Sequence, residues 1–277
     1  MNCKELTKGG AIWHNQAVRM KITSKIISVI FLFALFLIVN VLVTSPIFAN
    51  HSWGGYHWAA TVSPFTLKLG DNVSSIWDPI LATTSTDWSV SSVLDTAIVR
   101  GGTSPRFCRS TLGQVEVCSS RYGYNGWLGM AQIWVNTNKH ILKATTKVND
   151  TYFNTKTYNT TAWRNLVMCQ EVGHVLGLDH QDEDFDNGNL NTCMDYSNDP
   201  ESNQHPNLHD YDELALIYAH LDSATTLSQK LAQSIEGNFE NPSEWGKLLN
   251  KKGRVALFER NLGFGNKLFT FVIYTEQ

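Results

Sequence analysis

The segment from residue 161 to residue 180 constrains the fold of this 277-residue chain more than any other. It reads TAWRNLVMCQEVGHVLGLDH, and its apolar residues recur at helical spacing at Trp163, Leu166, Val167, Val175 and Leu176. Thr161 is of the type that caps the start of a helix, and Gly177 is of the type that ends one. We therefore predict a helix from about Ala162 to Leu176.

Three polar side chains are placed together by this helix. Gln170 and His174 lie one turn apart on one face, and Glu171 stands beside them. Gly177 lets the chain turn back through backbone angles that other residues avoid, and this turn can bring His180 toward the same volume. With a His in place of Gln170, the pattern would be that of three imidazole ligands and a glutamate around zinc. In such a site the metal lowers the pKa of a bound water, and the carboxylate takes its proton as the water attacks a carbonyl.

A second short segment, Cys193-Met194-Asp195-Tyr196, follows further along the chain. Together the two segments resemble the matrixin-like catalytic domains of the metzincin clan of secreted zincins, in which a tight turn carries a Met beneath the metal. The residues that carry the resemblance are, in chain order, Glu171, His174, Gly177, His180, Met194 and Tyr196. The resemblance extends over roughly residues 55 to 220.

The resemblance implies an α+β fold, a metzincin-like zincin catalytic domain with a twisted mixed sheet, an active-site helix and a Met-turn. It implies a secreted zinc-dependent endopeptidase that hydrolyses peptide bonds through a metal-bound water activated by Glu171. His174 and His180 are then ligands of Zn2+, and Gln170 is a weak or surrogate ligand. Tyr196 contacts the developing oxyanion. The expected partner is a protein or peptide substrate, and the expected state is a monomer.

Gln170 stands where the resembled family has its first histidine ligand. An amide oxygen is a harder and weaker ligand for zinc than an imidazole nitrogen. In one alternative, His174 and His180 hold zinc together with Tyr196 or the Gln170 oxygen, and activity is reduced or altered. In another, Glu171 becomes a ligand, which removes the general base.

In a third alternative the site holds no metal, and the chain is a catalytically weak or inactive zincin-like pseudoenzyme that acts as an extracellular binding module. The aromatic residues Trp53, Tyr56 and Trp58 favour such a module, because exposed aromatic rings offer stacking surfaces for glycans or peptides. A bond between Cys169 and Cys193 would then tether the helix to the Met194 turn without a metal.

The cysteines favour an oxidising compartment, because four of them follow the N-terminal segment. Four cysteines allow three pairings. A bond between Cys108 and Cys118 would close a short loop, whereas a bond between Cys169 and Cys193 would join the helix to a distant turn. Spacing alone leaves the pairing open, including the possibility that some thiols are free.

The first fifty residues have the layout of a secretory signal. Arg19, Lys21 and Lys25 precede an apolar run from residue 26 to residue 43, and the small residue Ala49 follows. We predict export and cleavage, which makes the protein extracellular. The alternative is an uncleaved membrane anchor, because the apolar run is long enough to span a bilayer. We divide the chain into residues 1–49, a catalytic domain at 50–222, and a C-terminal linker with a β-hairpin appendage at 223–277.

The charge distribution argues against binding to nucleic acid. Five basic residues and one acidic residue precede Asn50, so the remainder of a chain with 22 basic and 25 acidic residues is clearly acidic. It contains no basic block that could neutralise a phosphate backbone.

Short β-branched segments separated by turns predict a mostly parallel sheet. The predicted strands are Phe65–Leu69, Val93–Val99, Gln114–Ser119, Ala131–Val135 and Ala144–Val148, with a C-terminal hairpin formed by Val255–Arg260 and Lys267–Tyr274. This hairpin either joins the main sheet or forms a small module. A second helix is predicted at Tyr211–Leu221.

Other residues could bind a metal, but their context favours simpler roles. His205 and His209 have helical spacing but flank Pro206, which favours surface positions. His57 lies between aromatic residues, and we interpret it as part of an aromatic cluster. The acidic stretch at residues 182–186 lacks the regular spacing of a calcium loop, so we interpret it as a solvated loop.

Overall fold

The computed structural model describes residues 51–227, 239 and 241–276. These residues belong to one compact unit, Asn50–Gln277. The predicted signal segment and its cleavage site therefore lie outside the described residues. No helix in the described part of the chain is long and apolar enough to cross a membrane.

The fold is a mixed α+β arrangement, and in the described residues it contains four α-helices and nine strands. The helices are α1 (Asp78–Trp88), α2 (Asp150–Phe153), α3 (Thr161–Val175) and α4 (Leu208–Ile217). The strands are β1 (His57–Trp58), β2 (Phe65–Asn72), β3 (Leu94–Arg100), β4 (Val115–Ser120), β5 (Trp127–Val135), β6 (His140–Asn149), β7 (Lys247–Lys252), β8 (Val255–Gly263) and β9 (Asn266–Tyr274). A single turn of 3-10 helix spans Pro242–Glu244.

All nine strands belong to one sheet, with the order β3-β2-β4-β6-β5-β9-β8-β7 and with β1 paired to β6. Strands β1 to β4 and β6 are parallel to one another, whereas β5 runs antiparallel to β6. The three C-terminal strands continue from β5 in antiparallel pairing. The sheet is therefore mixed, and the prediction of a mostly parallel sheet is correct only for its first half.

The C-terminal hairpin joins the main sheet, which decides between the two arrangements left open above. Strand β9 pairs with β5 from Lys267 opposite Val135 to Tyr274 opposite Trp127. A third strand, β7, extends this part of the sheet and is not predicted by the sequence patterns, because its sequence KLLNKK does not alternate between polar and apolar residues and all six are exposed. The antiparallel half of the sheet therefore combines the middle and the end of the chain.

Helix α3 lies across the sheet and is buried from Ala162 to Val175. The glycine at position 129 of β5 allows this close approach, because a Cβ atom there would lie 2.6 Å from a methyl group of Val167. On its other side, α3 contacts α1, where the Trp88 indole donates a hydrogen bond to the Cys169 carbonyl at 3.2 Å. Because α3 is buried on both sides, its apolar residues are not confined to one stripe along the helix.

Two helix boundaries differ from prediction for a local reason. Helix α3 begins at Thr161 because the hydroxyl of Thr160, not Thr161, accepts the backbone N–H of Trp163. Helix α4 begins at Leu208, three residues before its predicted start, because Asn207 and Asp210 form a reciprocal capping box. Caps of this kind supply partners for the first backbone N–H groups, so they decide where a helix starts.

The structure contains two disulfide bonds, Cys108–Cys118 and Cys169–Cys193. This is the pairing that the sequence analysis discusses, and it agrees with an extracellular protein. The second bond joins α3 to the turn that contains Met194.

Candidate active site

Helix α3 supplies three of the predicted site residues, and all three are almost completely buried. Gln170 has an exposed fraction of 2%, and Glu171 and His174 each have 1%. The Glu171 carboxylate faces β5, since a Cβ atom on Gly129 would lie 2.5 Å from its Oε1. Gln170 and His174 are separated by one helical turn, as the sequence spacing requires.

The turn at Gly177 brings His180 beside His174. Gly177 has a φ of +102°, and an added Cβ would lie 2.3 Å from the backbone oxygen of Tyr56. Only glycine fits this position without strain. The ring centroids of His174 and His180 are 4.5 Å apart. The Nδ1 atom of His174 is 2.9 Å from the Leu178 carbonyl oxygen, so its Nε2 atom is the one that points away from the turn.

The Met194 turn lies directly against the helix. A Cβ atom on Gly173 would lie 2.4 Å from the Met194 sulfur. The sulfur therefore occupies the space that a side chain at position 173, directly before His174, would fill. The backbone N–H of Gln181 donates to the Met194 carbonyl at 2.6 Å, which ties the loop after Gly177 to the same turn. The Cys169–Cys193 bond adds a covalent link between the helix and the turn.

Tyr196 lies next to His180, with 4.2 Å between their ring centroids. Burial raises the pKa of the Tyr196 hydroxyl, and the nearby acidic groups of Glu183 and Asp179 raise it further. The hydroxyl is therefore protonated at neutral pH and is available as a hydrogen-bond donor.

The protonation state of His174 suits metal binding. Burial lowers the pKa of His174 to about 3, with a further contribution from His180, so the His174 ring is neutral. A neutral imidazole is the form that binds a metal. Burial also raises the pKa of Glu171 well above its usual range. A carboxylate with a raised pKa is a stronger base than an exposed one and holds a transferred proton more firmly.

Three buried atoms of these side chains have no hydrogen-bond partner among the described residues. They are Gln170 Oε1, Glu171 Oε2 and His180 Nε2. Leaving such an atom unpaired costs about 1–3 kcal/mol, so each orphaned acceptor is a reason to expect a ligand. Two imidazoles and an amide oxygen fit a divalent cation, although the amide is a weaker ligand for zinc than a third histidine.

The C-terminal hairpin covers this site. Phe271 of β9 stacks on the His174 ring, with 4.2 Å between centroids and 7° between planes. The turn between β7 and β8 reaches the loop after α3, where Arg254 donates to the Ser197 carbonyl at 3.1 Å. The space that remains is lined by Asp179, His180, Glu183, Tyr196, Asn250, Val255, Ala256, Leu257 and Phe271. Access to His180 therefore passes between this loop and the hairpin.

A second group of possible metal ligands lies elsewhere and is missed by the sequence analysis. In the described part of the chain, His57, His140 and Asp222 are the one group of three or more His, Cys, Asp or Glu side chains whose donor atoms converge, all within 4.8 Å of one another. The interpretation of His57 as part of an aromatic cluster is thus incomplete, since its ring nitrogen faces a carboxylate. The three residues share no local spacing, so no sequence motif could have found them.

The other candidate histidines have ordinary partners. His205 is exposed and pairs with Asp87 at 2.7 Å, and His209 stacks on His51. In the acidic stretch, the Asp182 carboxylate accepts the backbone N–H of Asp184 at 2.7 Å in an exposed loop. The surface role expected from the sequence is confirmed for His205, whereas His209 is half-buried against the buried His51 ring.

Comparison with known proteins adds no assignment: no protein-family model matches the chain, and no curated protein matches it.

Proposed function

We propose that this chain is a zinc-dependent endopeptidase related to the metzincin clan, with Gln170 in place of one histidine ligand. The observation that supports this most directly is the convergence of His174, His180 and Tyr196 above the Met194 turn. The orphaned Gln170 Oε1 and His180 Nε2 atoms support a cation between the helix and the loop.

Each residue then has a defined task. His174, His180 and Gln170 hold Zn2+, which when bound supplies a Lewis acid for carbonyl polarisation and lowers the pKa of water. Glu171 accepts a proton from the attacking water and returns it to the leaving amine. The protonated hydroxyl of Tyr196 donates a hydrogen bond to the oxygen that becomes negative during the reaction.

The docked hairpin makes the described form latent. Strand β9 occupies the hydrogen-bonding edge of β5, next to Glu171, which is where an extended peptide would add to the sheet. Phe271 covers the face of His174. Hydrolysis of a protein substrate therefore requires that β9 move or that the substrate enter between the hairpin and the loop after α3.

The test compares two variants on the same strand. Phe271→Ala removes the ring that stacks on His174, and Phe269→Ala removes a ring on the same strand that packs on Trp53 and Tyr56. Both delete a buried Phe side chain, which costs about 3–5 kcal/mol, so they control for general destabilisation. We expect higher zinc-dependent cleavage of a fluorogenic peptide mixture by Phe271→Ala than by Phe269→Ala.

Glu171→Gln in the Phe271→Ala background should abolish cleavage and leave the zinc content unchanged. Cleavage that persists in this double variant would show that Glu171 is not the base. If the site takes up no zinc when zinc is supplied, the peptidase proposal fails.

The second candidate function is an extracellular binding module on an inactive zincin-like scaffold. The observation that favours it is the Phe271 ring of the same chain stacked on His174, combined with a glutamine at the first ligand position. The aromatic stacking surface expected from the sequence does not support it, because Trp53 and Trp58 are buried. This candidate predicts a folded Phe271→Ala variant that binds zinc weakly or not at all and has no peptidase activity.

A further inference from the structure

The second metal-ligand group lies where three separate parts of the chain meet. His57 belongs to β1 and His140 is the first residue of β6, and these two residues are directly opposite each other in the parallel β1–β6 pair. Asp222 follows α4. Its Oδ1 atom is 3.1 Å from His140 Nε2 and 3.5 Å from His57 Nε2.

His220 adds a fourth donor to this group. Its Nε2 atom is 3.3 Å from His57 Nε2 and 3.8 Å from Asp222 Oδ1. Its side chain is half exposed, whereas the other three side chains are largely buried. The donor atoms that all converge are those of His57, His140 and Asp222, and the half-exposed His220 lies beside two of them.

These separations match those between ligands of a tetrahedral zinc ion. Ligand bonds of about 2.0–2.1 Å place neighbouring donor atoms about 3.3–3.4 Å apart in a tetrahedron. The four separations given above range from 3.1 to 3.8 Å around that value. We propose that His57, His140 and Asp222 hold a structural Zn2+ ion, with the half-exposed His220 turning in as the fourth ligand, and that this site is distinct from the site on α3.

The backbone orients two of the proposed ligands. His57 Nδ1 lies 3.0 Å from the Gly55 carbonyl oxygen, which leaves Nε2 for the metal. Asp222 Oδ2 accepts the Ala60 N–H at 3.0 Å, which leaves Oδ1 for the metal. A metal ligand whose second polar atom is held by the backbone is the usual arrangement in zinc sites, because it fixes the direction of the donor atom.

A metal would bind the atoms that pair with one another in this group. His57 Nε2 and His220 Nε2 face each other at 3.3 Å, and Asp222 Oδ1 lies against both His57 and His140. A cation satisfies both nitrogens and the carboxylate at once. The set of nitrogen and oxygen donors suits zinc rather than magnesium or calcium, which bind through oxygen atoms.

The site would join the N-terminal strand to the segment after α4 and so support the end of α3. Trp58, next to His57, donates its indole N–H to the Val175 carbonyl at 2.9 Å. Tyr218, before His220, donates to the Leu176 carbonyl at 2.9 Å. A closed tetrahedral site here contributes stability to the fold, as structural zinc sites do.

The test uses the full chain in a His174→Ala background, which removes zinc bound on α3. After chelator treatment and dialysis against Zn2+, elemental analysis should give about one zinc per chain. Adding His140→Gln should remove this zinc. Adding His205→Gln, which changes an exposed histidine paired only with Asp87, should leave it unchanged.

Asp222→Asn provides a second variant in case His140→Gln does not fold. Its amide oxygen can still accept the Ala60 N–H, while its NH2 group faces the histidines and cannot bind a metal. We expect it to lose the zinc and the rise in unfolding temperature that zinc produces. Zinc content that is unchanged in a folded His140→Gln or Asp222→Asn chain would overturn the proposal. The absence of zinc from the α3 site would not overturn the proposal, because every chain in this test carries His174→Ala.

Discussion

Replacing Gly177 with alanine tests whether the turn after α3 controls both stability and the position of His180. The residue has a φ of +102°, and a Cβ atom would lie 2.3 Å from the backbone oxygen of Tyr56. A left-handed conformation costs an alanine roughly 1–2 kcal/mol. The contact with a backbone oxygen adds strain of the same order, since it can be relieved only by moving β1 or the turn.

We therefore expect Gly177→Ala to lower the free energy of unfolding by about 3 kcal/mol, combining the two costs. For a unit of this size, each kcal/mol lowers the melting temperature by about 2–4 °C, so the expected decrease is roughly 6–12 °C. The matched control is Gly188→Ala, because Gly188 has open space around its Cβ position. This control should be neutral or slightly stabilising, by less than about 1 kcal/mol.

Thermal unfolding followed by circular dichroism, in the presence of a chelator, measures the difference without a contribution from bound metal. If Gly177→Ala and Gly188→Ala melt at the same temperature, the turn is not strained by a side chain and the reasoning is refuted. With zinc restored, Gly177→Ala should also bind the metal of the α3 site more weakly, because a shifted turn moves His180 away from His174.

Two further predictions concern the disulfide and a buried acid. Replacing both Cys169 and Cys193 with alanine should destabilise the fold by about 3.5 kcal/mol, which is the loop-closure value for their separation of 24 residues. Urea unfolding should show this as a lower midpoint. An unchanged midpoint would show that the bond does not restrict the unfolded chain. Burial raises the pKa of Asp150 despite the hydrogen bond from Trp77. The protonated form is thus favoured in the fold, and this stabilisation is lost as pH rises through the raised pKa. Asp150→Asn should accordingly reduce the loss of stability between pH 4 and pH 7, and identical pH profiles would contradict the assignment.

Much of the candidate site on α3 could be predicted because its signals are local. Helical spacing places Gln170, Glu171 and His174 together, and the need for a positive φ at Gly177 predicts the turn toward His180. The roles of these residues in catalysis remain predictions. The sequence patterns do not predict α1, whose interior is rich in threonine and serine and has little helix propensity, although Pro79 in its first turn is a typical start signal.

The cover over the site could not be predicted, because it depends on which strand pairs with β5. The alternation of β8 and β9 predicts a hairpin, but alternation does not specify the neighbouring strand. Pairing of β9 with β5 places Phe271 on His174 and so decides whether a substrate can reach the helix.

The amino-acid sequence by itself determined the long helix, its glycine turn, the group of polar residues on one helix face and a set of cysteines suited to export. The first three depend on interactions between residues close in the chain, and the last depends on the number of cysteines. Only the tertiary structure decided the mixed strand order, the docking of the hairpin over His174 and the convergence of His57, His140 and Asp222. The physical reason is that strand pairing and donor convergence depend on residues far apart in the chain, whose approach is set by the packing of the whole sheet.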